Sequence, residues 1–317
     1  RRQYGEPQEG ITALDFFRGV AKMQTTDAVR NALSVGTDTA GGFTVPSTVM
    51  PEILSALAPV SSLMQAGMPI ATLDQGTKTA TTAVVNAIPS AAWRAEAGTL
   101  AQSDPTFRSV PATPRSLAFY FKCSRELLMD SPNMNSALLQ VIAQAFAKKL
   151  DYTGLRGSGT APEPAGLLTT SGIQTVTNGA NGTALGSYAN LFSAAQKVLE
   201  ADGPTPTAAI MSPRSLVKLG GLLDSTGQPV NVPPMLQPVR LIATSQVPNN
   251  LTVGTSNDCS EIYVGDFTRM ALLLRENVSV QVLNEAFATT GEIGFACHVR
   301  ADFAVWYPAA FALVTGV

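Results

Sequence analysis

A length of 317 residues favours about two domains. Hydrophobic residues make up 45% of the chain and charged residues only 14%, well below the roughly 25% of typical globular domains. So little charge is typical of a protein that shares large interfaces with other subunits, and a sticky or membrane-bound protein is the alternative. The longest apolar runs, such as Met270 to Leu274, are far shorter than the ~20 residues of a membrane helix, so no spanning helix is expected.

The charge balance argues against sequence-specific recognition of nucleic acid. The chain has 21 Lys and Arg residues and 23 Asp and Glu residues, for a net charge of −2, and its basic residues are scattered. DNA-binding proteins usually carry a clustered basic face that replaces the counterions of the phosphates. We therefore expect no site for a specific DNA sequence.

The cysteines predict neither a metal site nor disulfide bonds. Cys123, Cys259 and Cys297 are far apart, and no C-x-x-C spacing occurs. Structural zinc sites usually take their ligands from such closely spaced pairs, so we expect no metal and no cofactor. Each cysteine lies in or beside an apolar run typical of a strand, which predicts buried, reduced thiols.

The N-terminal part of the chain is predicted to be an extended arm over residues 1–45. Gly41-Gly42 ahead of F-T-V-P favours a turn into an extended segment, because the residue before Pro46 is disfavoured in a helix. Pro51 then suits the first turn of a short helix from Glu52 to Leu57.

Residues 70–123 alternate between Thr, Ala and Val, pass through a polar apex, and return through L-A-F-Y-F-K-C. This texture predicts a long two-stranded excursion with its turn between Ala95 and Pro105. A hairpin alone is at best marginally stable in water, so one this long needs a surface to lie on. A neighbouring subunit is the simplest such surface.

A long amphipathic helix is predicted to follow. Asp130-Ser131-Pro132 combines a side-chain cap with a proline preset for the first helical turn. Apolar residues then recur at helical spacing on one face: Met134, Leu138, Val141, Ile142, Ala145, Phe146 and Leu150. The helix is expected to end near Leu155, since Gly157 and Gly159 stop it.

Residues 171–268 have the pattern of a mixed α/β layer. An amphipathic helix from Leu191 to Leu199 precedes a buried strand from Ala208 to Met211, and Ser212-Pro213 caps another helix. A strand from Pro238 to Ala243 follows the turn at Asp224 to Gly227. The final part returns to strands, predicted at Glu261 to Val264, Met270 to Leu274, Val278 to Val282 and Ile293 to Val305.

Two motifs suggest enzyme chemistry and are better explained otherwise. The glycine-rich run from Gly157 to Gly166 lacks the Gly-Lys-Ser/Thr of a phosphate-binding loop and follows a helix instead of opening one, so it predicts a helix stop and turn. His298 is the single histidine, and no G-x-S-x-G nucleophile motif accompanies it. A packed strand residue, or one facing an interface, is the better interpretation, and no catalytic residue is predicted.

Several segments taken together resemble the major capsid proteins of tailed bacteriophages, the Hong Kong 97 type of shell subunit. They are S-R-E-L-L-M-D-S (Ser124 to Ser131), D-Y-T-G-L-R-G-S-G-T-A-P-E-P-A-G-L-L (Asp151 to Leu168), I-Y-V-G-D-F (Ile262 to Phe267), R-A-D-F-A-V-W-Y-P-A-A-F-A (Arg300 to Ala312), and W-R-A-E (Trp93 to Glu96), which resembles the Trp–Glu signature of the family's extended loop. The resemblance covers the chain from about Gly41 to its end.

The resemblance implies an α+β fold and a function in self-assembly. Its expected parts are an N-terminal arm (1–45), the start of a peripheral domain (46–69), an extended β-hairpin loop (70–123), the peripheral domain with a long spine helix (124–170), a mixed α/β axial domain (171–274), and return strands of the peripheral domain with a C-terminal segment (275–317). Many copies would form hexamers and pentamers of an icosahedral head around double-stranded DNA. Trp93, Glu96 and Lys78 are the expected intersubunit contacts.

Some members of the family crosslink their subunits through a Lys–Asn isopeptide bond assisted by a nearby acid. Lys78 lies in the loop region, but Gly291 falls near the Asn position and Cys297-His298 near the acid. Two of the three required groups are missing, so no crosslink of that type is expected.

The resemblance also implies partners. These are a portal, a scaffold or maturation protease, and cement proteins, with assembly in the host cytoplasm and no membrane involved. Because polar sequence follows Arg1-Arg2, we expect no signal peptide. The chain opens without an initiator Met, and the resemblance begins almost at once without the charged helical segment of a scaffold, so we expect residue 1 to follow a maturation cut or disordered residues left out of the numbering. Two rivals remain: an encapsulin-like compartment around an enzyme cargo, and an α/β hydrolase-type enzyme.

Overall fold

The computed structural model describes residues 43–44, 60–73, 79–87, 89–91, 93–94, 102–124, 126, 134–283, 287 and 291–317. Within these residues the strands are β1 (Phe43–Thr44), β2 (Ile70–Thr72), β3 (Ala80–Ala87), β4 (Thr106–Ala112), β5 (Arg115–Ser124), β6 (Gln174–Thr177), β7 (Ala208–Met211), β8 (Arg240–Ala243), β9 (Leu251–Val253), β10 (Ser256–Cys259), β11 (Glu261–Gly265), β12 (Met270–Leu283), β13 (Glu292–Val305) and β14 (Phe311–Thr315). The helices are α1 (Ser62–Gln65), α2 (Met134–Arg156), α3 (Ala189–Glu200) and α4 (Pro213–Gly220), with 3-10 turns at Leu167–Thr169, Pro234–Leu236, Phe267–Arg269 and Pro308–Ala310.

The first sheet has the order β1-β12-β13-β5, and β2 adds to β12 in parallel. The remaining pairings are antiparallel. The two separate strands predicted between Met270 and Val282 are one continuous strand, β12, whose register against β13 shifts between Leu274 and Ser279. The polar run Arg275-Glu276-Asn277 lies at this irregularity, which explains why the apolar alternation stops there and resumes.

The long helix α2 covers one face of this sheet. Leu138, Ile142, Phe146 and Leu150 recur every four residues and are buried, as the sequence predicted. Phe146 meets Phe119 of β5 edge to face, with ring centroids 4.9 Å apart. Val141, which was assigned to the same apolar face, is instead 50% exposed. It follows Leu138 by three positions but precedes Ile142 by one, which rotates it away from the centre of the buried stripe.

The second sheet has the order β6-β14-β11-β7-β8. The helices α3 and α4 pack on one face through a core that includes Leu191, Val198 and Leu219. The opposite face, with Ile210 and Phe311, joins the core formed by α2 and the first sheet. The predicted helix and strand positions are confirmed in this region, including the cap, where the Ser212 Oγ accepts a hydrogen bond from the Ser215 N–H at 3.3 Å.

The predicted excursion between Ile70 and Cys123 is shorter than expected. Antiparallel pairing joins β3 to β4, from Ala80↔Ala112 to Ala87↔Thr106. The flanking segments belong elsewhere, because β2 pairs with β12 and β5 pairs with β13. The run L-A-F-Y-F-K-C is drawn into the first sheet because Leu117, Phe119 and Phe121 pack on the core under α2.

Candidate subunit-contact surfaces

The hairpin β3–β4 has one face turned toward the first sheet and one turned away from it. Val110 and Ala112 of the inner face pack with Ala271, Leu273 and Ala304 of the sheet. Successive side chains along a strand point to opposite faces, so the residues that alternate with Val110 and Ala112 point away from the sheet. We call this the outer hairpin face; it consists of Thr81, Ala83, Val85, Phe107, Ser109 and Pro111, all exposed and all uncharged.

An apolar cross-strand pair lies near the distal end of the outer hairpin face. Val85 is directly opposite Phe107 in the register, and they are 47% and 68% exposed. Paired apolar side chains stabilise a hairpin, but their outer surfaces stay in contact with water here. An uncharged, apolar surface on a projecting hairpin has the composition of an interface core.

Of the residues expected to make intersubunit contacts, the structure describes Trp93, which lies between β3 and β4 in the chain. Trp93 is fully exposed, with a relative accessibility of 105%. Lys78 and Glu96 lie outside the described residues. Large exposed aromatic side chains are enriched at protein interfaces, so the position of Trp93 fits the expectation without testing it.

The glycine-rich turn after α2 is closed by its own backbone. The Gly166 N–H donates to the Gly157 carbonyl at 3.0 Å, and the Gly159 N–H donates to the Pro164 carbonyl at 3.2 Å. A Cβ on Gly157 would lie 2.3 Å from the Pro164 carbonyl oxygen, and one on Gly166 would lie 2.4 Å from the Gly157 nitrogen. The glycines therefore allow two chain segments to touch, which agrees with the predicted helix stop and turn.

An ion pair holds the far side of this turn against α2. The Lys149 Nζ lies 2.9 Å from a Glu163 carboxylate oxygen. The hydrogen bond from Lys149 is the main cause that lowers the pKa of Glu163. A groove of about 530 Å³ opens beside the turn, with Leu117, Pro162, Pro164 and Phe303 among its walls. The turn is thus a rigid, partly apolar rim next to β5.

A buried polar junction connects α2 with the second sheet. The Arg156 Nη1 donates to the Glu261 Oε2 at 2.5 Å, and the Tyr263 hydroxyl donates to the same oxygen at 2.7 Å. Burial alone would lower the pKa of Arg156, but the Glu261 carboxylate, together with Tyr263 and Tyr152, outweighs burial, so the pKa of Arg156 is raised. Burial, together with Glu261, raises the pKa of Tyr263. This junction fixes the end of α2 against β11.

A second buried carboxylate connects α2 with the segment around α1. Asp151, 3% exposed, accepts hydrogen bonds from Ser61 Oγ, Ser62 Oγ and the Ser62 N–H at 2.6, 2.8 and 2.7 Å. Burial raises the pKa of Asp151, and these donors oppose that rise. The Asp151 contacts hold the chain entering the first sheet against α2.

A cleft of about 850 Å³ lies between α4 and β10. Arg214 and Lys218 line it, and the Arg214 guanidinium donates to the carbonyls of Asp258 and Val317 at 2.6 and 3.0 Å. The Arg214 guanidinium thus holds the C-terminal strand region in place, and its donors face the protein's own backbone.

The cysteines, the histidine and the glycine considered in the sequence as sites of chemistry lie in different parts of the fold. Cys123, Cys259 and Cys297 are buried and free, which confirms the predicted buried thiols, and burial raises the pKa of Cys297 to about 12. Cys297 packs in the core, so its neighbour His298 lies on the opposite face of β13, in register with Ala118. Gly291 is exposed at the start of β13 with φ +67°.

Two further properties concern the part of the chain that the structure describes. In it, no group of three or more His, Cys, Asp or Glu side chains is placed to hold a metal ion. Likewise, no helix among these residues is long and apolar enough to span a bilayer.

The sequence profile of the phage capsid family matches residues 41–316. The chain belongs to the phage capsid family. No curated protein sequence matches it. Its fold is that of capsid proteins of the Hong Kong 97 type, and the family consists of structural proteins that form capsid shells.

Solved capsid structures share this fold at low sequence identity. "Capsid of native GTA particle computed with C5 symmetry" has a TM-score of 0.61 and 18% identity, covering 80% of this chain and 89% of that chain. Microbacterium phage Oxtober96 has a TM-score of 0.61 and 16% identity, covering 90% and 97%. Mycobacterium phage Bobi has a TM-score of 0.60 and 18% identity, covering 80% and 89%.

Proposed function

We propose that this chain is the major shell subunit of a tailed-phage head. Copies of it associate into hexamers and pentamers, which close into an icosahedral container for double-stranded DNA. The family match over residues 41–316 is the observation that carries the proposal. The low charge content of 14% supports it, because extensive subunit interfaces are depleted in charge. The DNA is held without sequence specificity, as the net charge of −2 suggests.

The parts of the subunit have distinct roles in this proposal. The peripheral domain contains α2 as its spine helix and the first sheet, and the axial domain contains the second sheet with α3 and α4. The arm stays at residues 1–45 and the loop within 70–123. Because β12 belongs to the first sheet and β14 to the second, the peripheral domain takes in residues 270–274 and the axial domain takes in Phe311–Thr315. A portal, a scaffold or maturation protease, and cement proteins are the further partners. Assembly takes place in the host cytoplasm, and the product is the virion.

The projecting hairpin supplies one of the contacts between copies. The inner face of β3–β4 already covers its own subunit, whereas the outer hairpin face carries exposed Val85 and Phe107 without any charge. Two strands alone do not bury enough apolar area to be stable, so a second copy of the chain is the partner that this face fits. Trp93 and, by proposal, Lys78 and Glu96 extend the same contact. Weak contacts suffice, because each subunit makes many of them at once.

The test of this proposal is the native mass of the purified full chain, measured by size exclusion with light scattering and followed by negative-stain imaging. We expect a megadalton peak of shells, or rings that convert to shells. Nucleic acid inside the particles supports a phage head, and an enzyme cargo in its place supports an encapsulin-like compartment. A stable monomer of 33.1 kDa that never assembles contradicts the proposal and reopens the hydrolase-type alternative.

Replacing Phe107 with aspartate should abolish assembly without unfolding the subunit. Phe107 is 68% exposed, so the isolated subunit tolerates the charge, whereas a subunit interface has to desolvate it. A loss of about 1.4 kcal/mol per contact lowers each association constant about tenfold, and a shell repeats that loss many times. Particle yield by sedimentation measures the effect. Phe107→Leu is the matched control and should assemble; equal yields for the Asp and Leu variants would contradict the prediction.

A further inference from the structure

We propose that Arg108 is a positioning residue that sets the direction in which the β3–β4 hairpin leaves the subunit, and thereby controls assembly. The inference rests on the proposed function, because it concerns how one subunit presents the hairpin to the next. It does not concern the residues that touch the partner. It concerns the inner face of the hairpin, which contacts the subunit's own first sheet.

Arg108 occupies an inner-face position where an apolar residue is expected. It alternates with outward-facing Phe107 and Ser109 and shares its face with Val110 and Ala112, which pack on the sheet. A charged side chain here is costly unless its donors are satisfied. The Arg108 Nη2 donates to two successive backbone carbonyls, of Val305 at 3.2 Å and Trp306 at 3.1 Å. The guanidinium therefore reaches the end of β13 rather than solvent.

A second attachment lies at the base of the same strand. The Thr113 N–H donates to the Asp302 Oδ2 at 2.6 Å, and the Asp302 Oδ1 accepts from the Phe303 N–H at 2.8 Å. Asp302 is 6% exposed and belongs to β13, the strand that also provides the Val305 carbonyl. Both attachments therefore connect the hairpin to one strand of the first sheet.

An attachment farther out along a strand limits how far its distal part can swing, whereas attachments near the base alone leave that part freer to move. Thr113 is five residues beyond Arg108, roughly 16 Å along an extended strand at about 3.3 Å per residue. Without Arg108, the base stays attached through Asp302, Val110 and Ala112, but the distal half of β4 loses its attachment to β13. The direction of the outer hairpin face then varies among subunits, and fewer of them match the geometry that a neighbour requires.

The choice of arginine agrees with this role. One planar guanidinium donates to two neighbouring carbonyls in a fixed geometry, whereas a lysine ammonium is a point charge on a flexible stem. Arg108→Lys should therefore keep the positive charge and lose part of the directional control. If Arg108 acted only through its charge, Arg108→Lys would keep its full effect on the direction of the hairpin.

The experiment uses the full chain with spin labels on Ser109→Cys of the hairpin and Ser124→Cys at the end of β5, both exposed positions. Pulsed electron paramagnetic resonance on unassembled subunits reports the distance distribution between the labels, and sedimentation of unlabelled subunits reports particle yield. For Arg108→Ala we expect a wider distribution, a yield lowered about tenfold or more, and a melting temperature within about 2 °C of the parent. Arg108→Lys should give a distribution width and a particle yield between those of the parent chain and those of Arg108→Ala. Lys122→Ala is the control, since it removes a cation from the exposed face of the same sheet and should leave the yield unchanged.

Each outcome separates this inference from the proposed function. If the parent chain assembles and Arg108→Ala assembles equally well, the inference is wrong and the proposed function stands. An unchanged distance distribution with a lost yield assigns Arg108 to a direct contact with the partner and also overturns the inference. If the parent chain never assembles, the proposed function fails, while the distance distributions still report whether Arg108 directs the hairpin.

Discussion

Gly157→Ala is expected to destabilise the subunit by about 3 kcal/mol or more, enough to prevent the accumulation of folded protein. The added Cβ would lie 2.3 Å from the Pro164 carbonyl oxygen and 2.5 Å from the Thr153 carbonyl oxygen. Both neighbours are backbone atoms, so relief requires the turn to open and the hydrogen bond from the Gly166 N–H to the Gly157 carbonyl to break. Urea unfolding of the unassembled subunit, followed by circular dichroism, measures the loss.

A double-mutant cycle tests the cause. Gly166→Ala should cost a similar amount, because its Cβ would lie 2.4 Å from the Gly157 nitrogen. Both substitutions open the same contact, so together they should cost clearly less than the sum of their separate effects. Gly220→Ala is the control: nothing lies within 4 Å of its Cβ position, and alanine in a helix is favoured by roughly 0.5–1 kcal/mol. Full additivity would show that the two glycines act independently.

Arg156→Met is expected to destabilise the subunit by about 3 kcal/mol, because it leaves the Glu261 carboxylate buried with one donor fewer. The side chains of Arg156 and Glu261 are 18% and 9% exposed, so water compensates little of the loss. The Tyr263 hydroxyl, 2.7 Å from the same carboxylate oxygen, remains the partner of Glu261. Urea unfolding at neutral pH gives the magnitude.

The double variant Arg156→Met/Glu261→Leu should recover a substantial part of this stability. Replacing a buried ion pair by apolar groups of similar volume is often neutral, whereas removing one partner is not. Lys122→Met is the matched control, since the Lys122–Glu292 pair has side chains 53% and 28% exposed and should contribute less than about 1 kcal/mol. If Arg156→Met costs no more than Lys122→Met, the junction between α2 and β11 does not stabilise the fold.

The regular elements follow from short-range patterns, which explains why the sequence predicts them. The buried stripe of α2, the strand from Ala208 to Met211 and the cap at Ser212 each depend on residues within a few positions of one another. The strand β5, in contrast, pairs with β13, about 180 residues farther along the chain. Nothing local in the sequence indicates this pairing, so the predicted excursion was too long. Periodicity does not specify which distant strand an apolar run joins.

The contacts that position the candidate surfaces are also long-range. Arg156 and Glu261 are 105 residues apart, and Arg108 and Val305 are 197 apart, with no local spacing to relate them. A cation at an inner-face position of β4 is the one signal that the sequence offered for Arg108. The exposed Trp93 was found through family resemblance, because a side chain that contacts another copy leaves no trace in the packing of its own chain.

The place of β14 has a consequence for the order in which the chain folds during its synthesis. This strand lies between β6 and β11, so the second sheet has a gap until Phe311–Thr315 has been synthesised and has left the ribosome. The first sheet likewise waits for β13, which lies between β12 and β5, so neither sheet is complete on a chain that has only just passed the hairpin. The strand between β6 and β11 is therefore missing until translation has passed residue 315, so the second sheet is among the last parts of the subunit to fold.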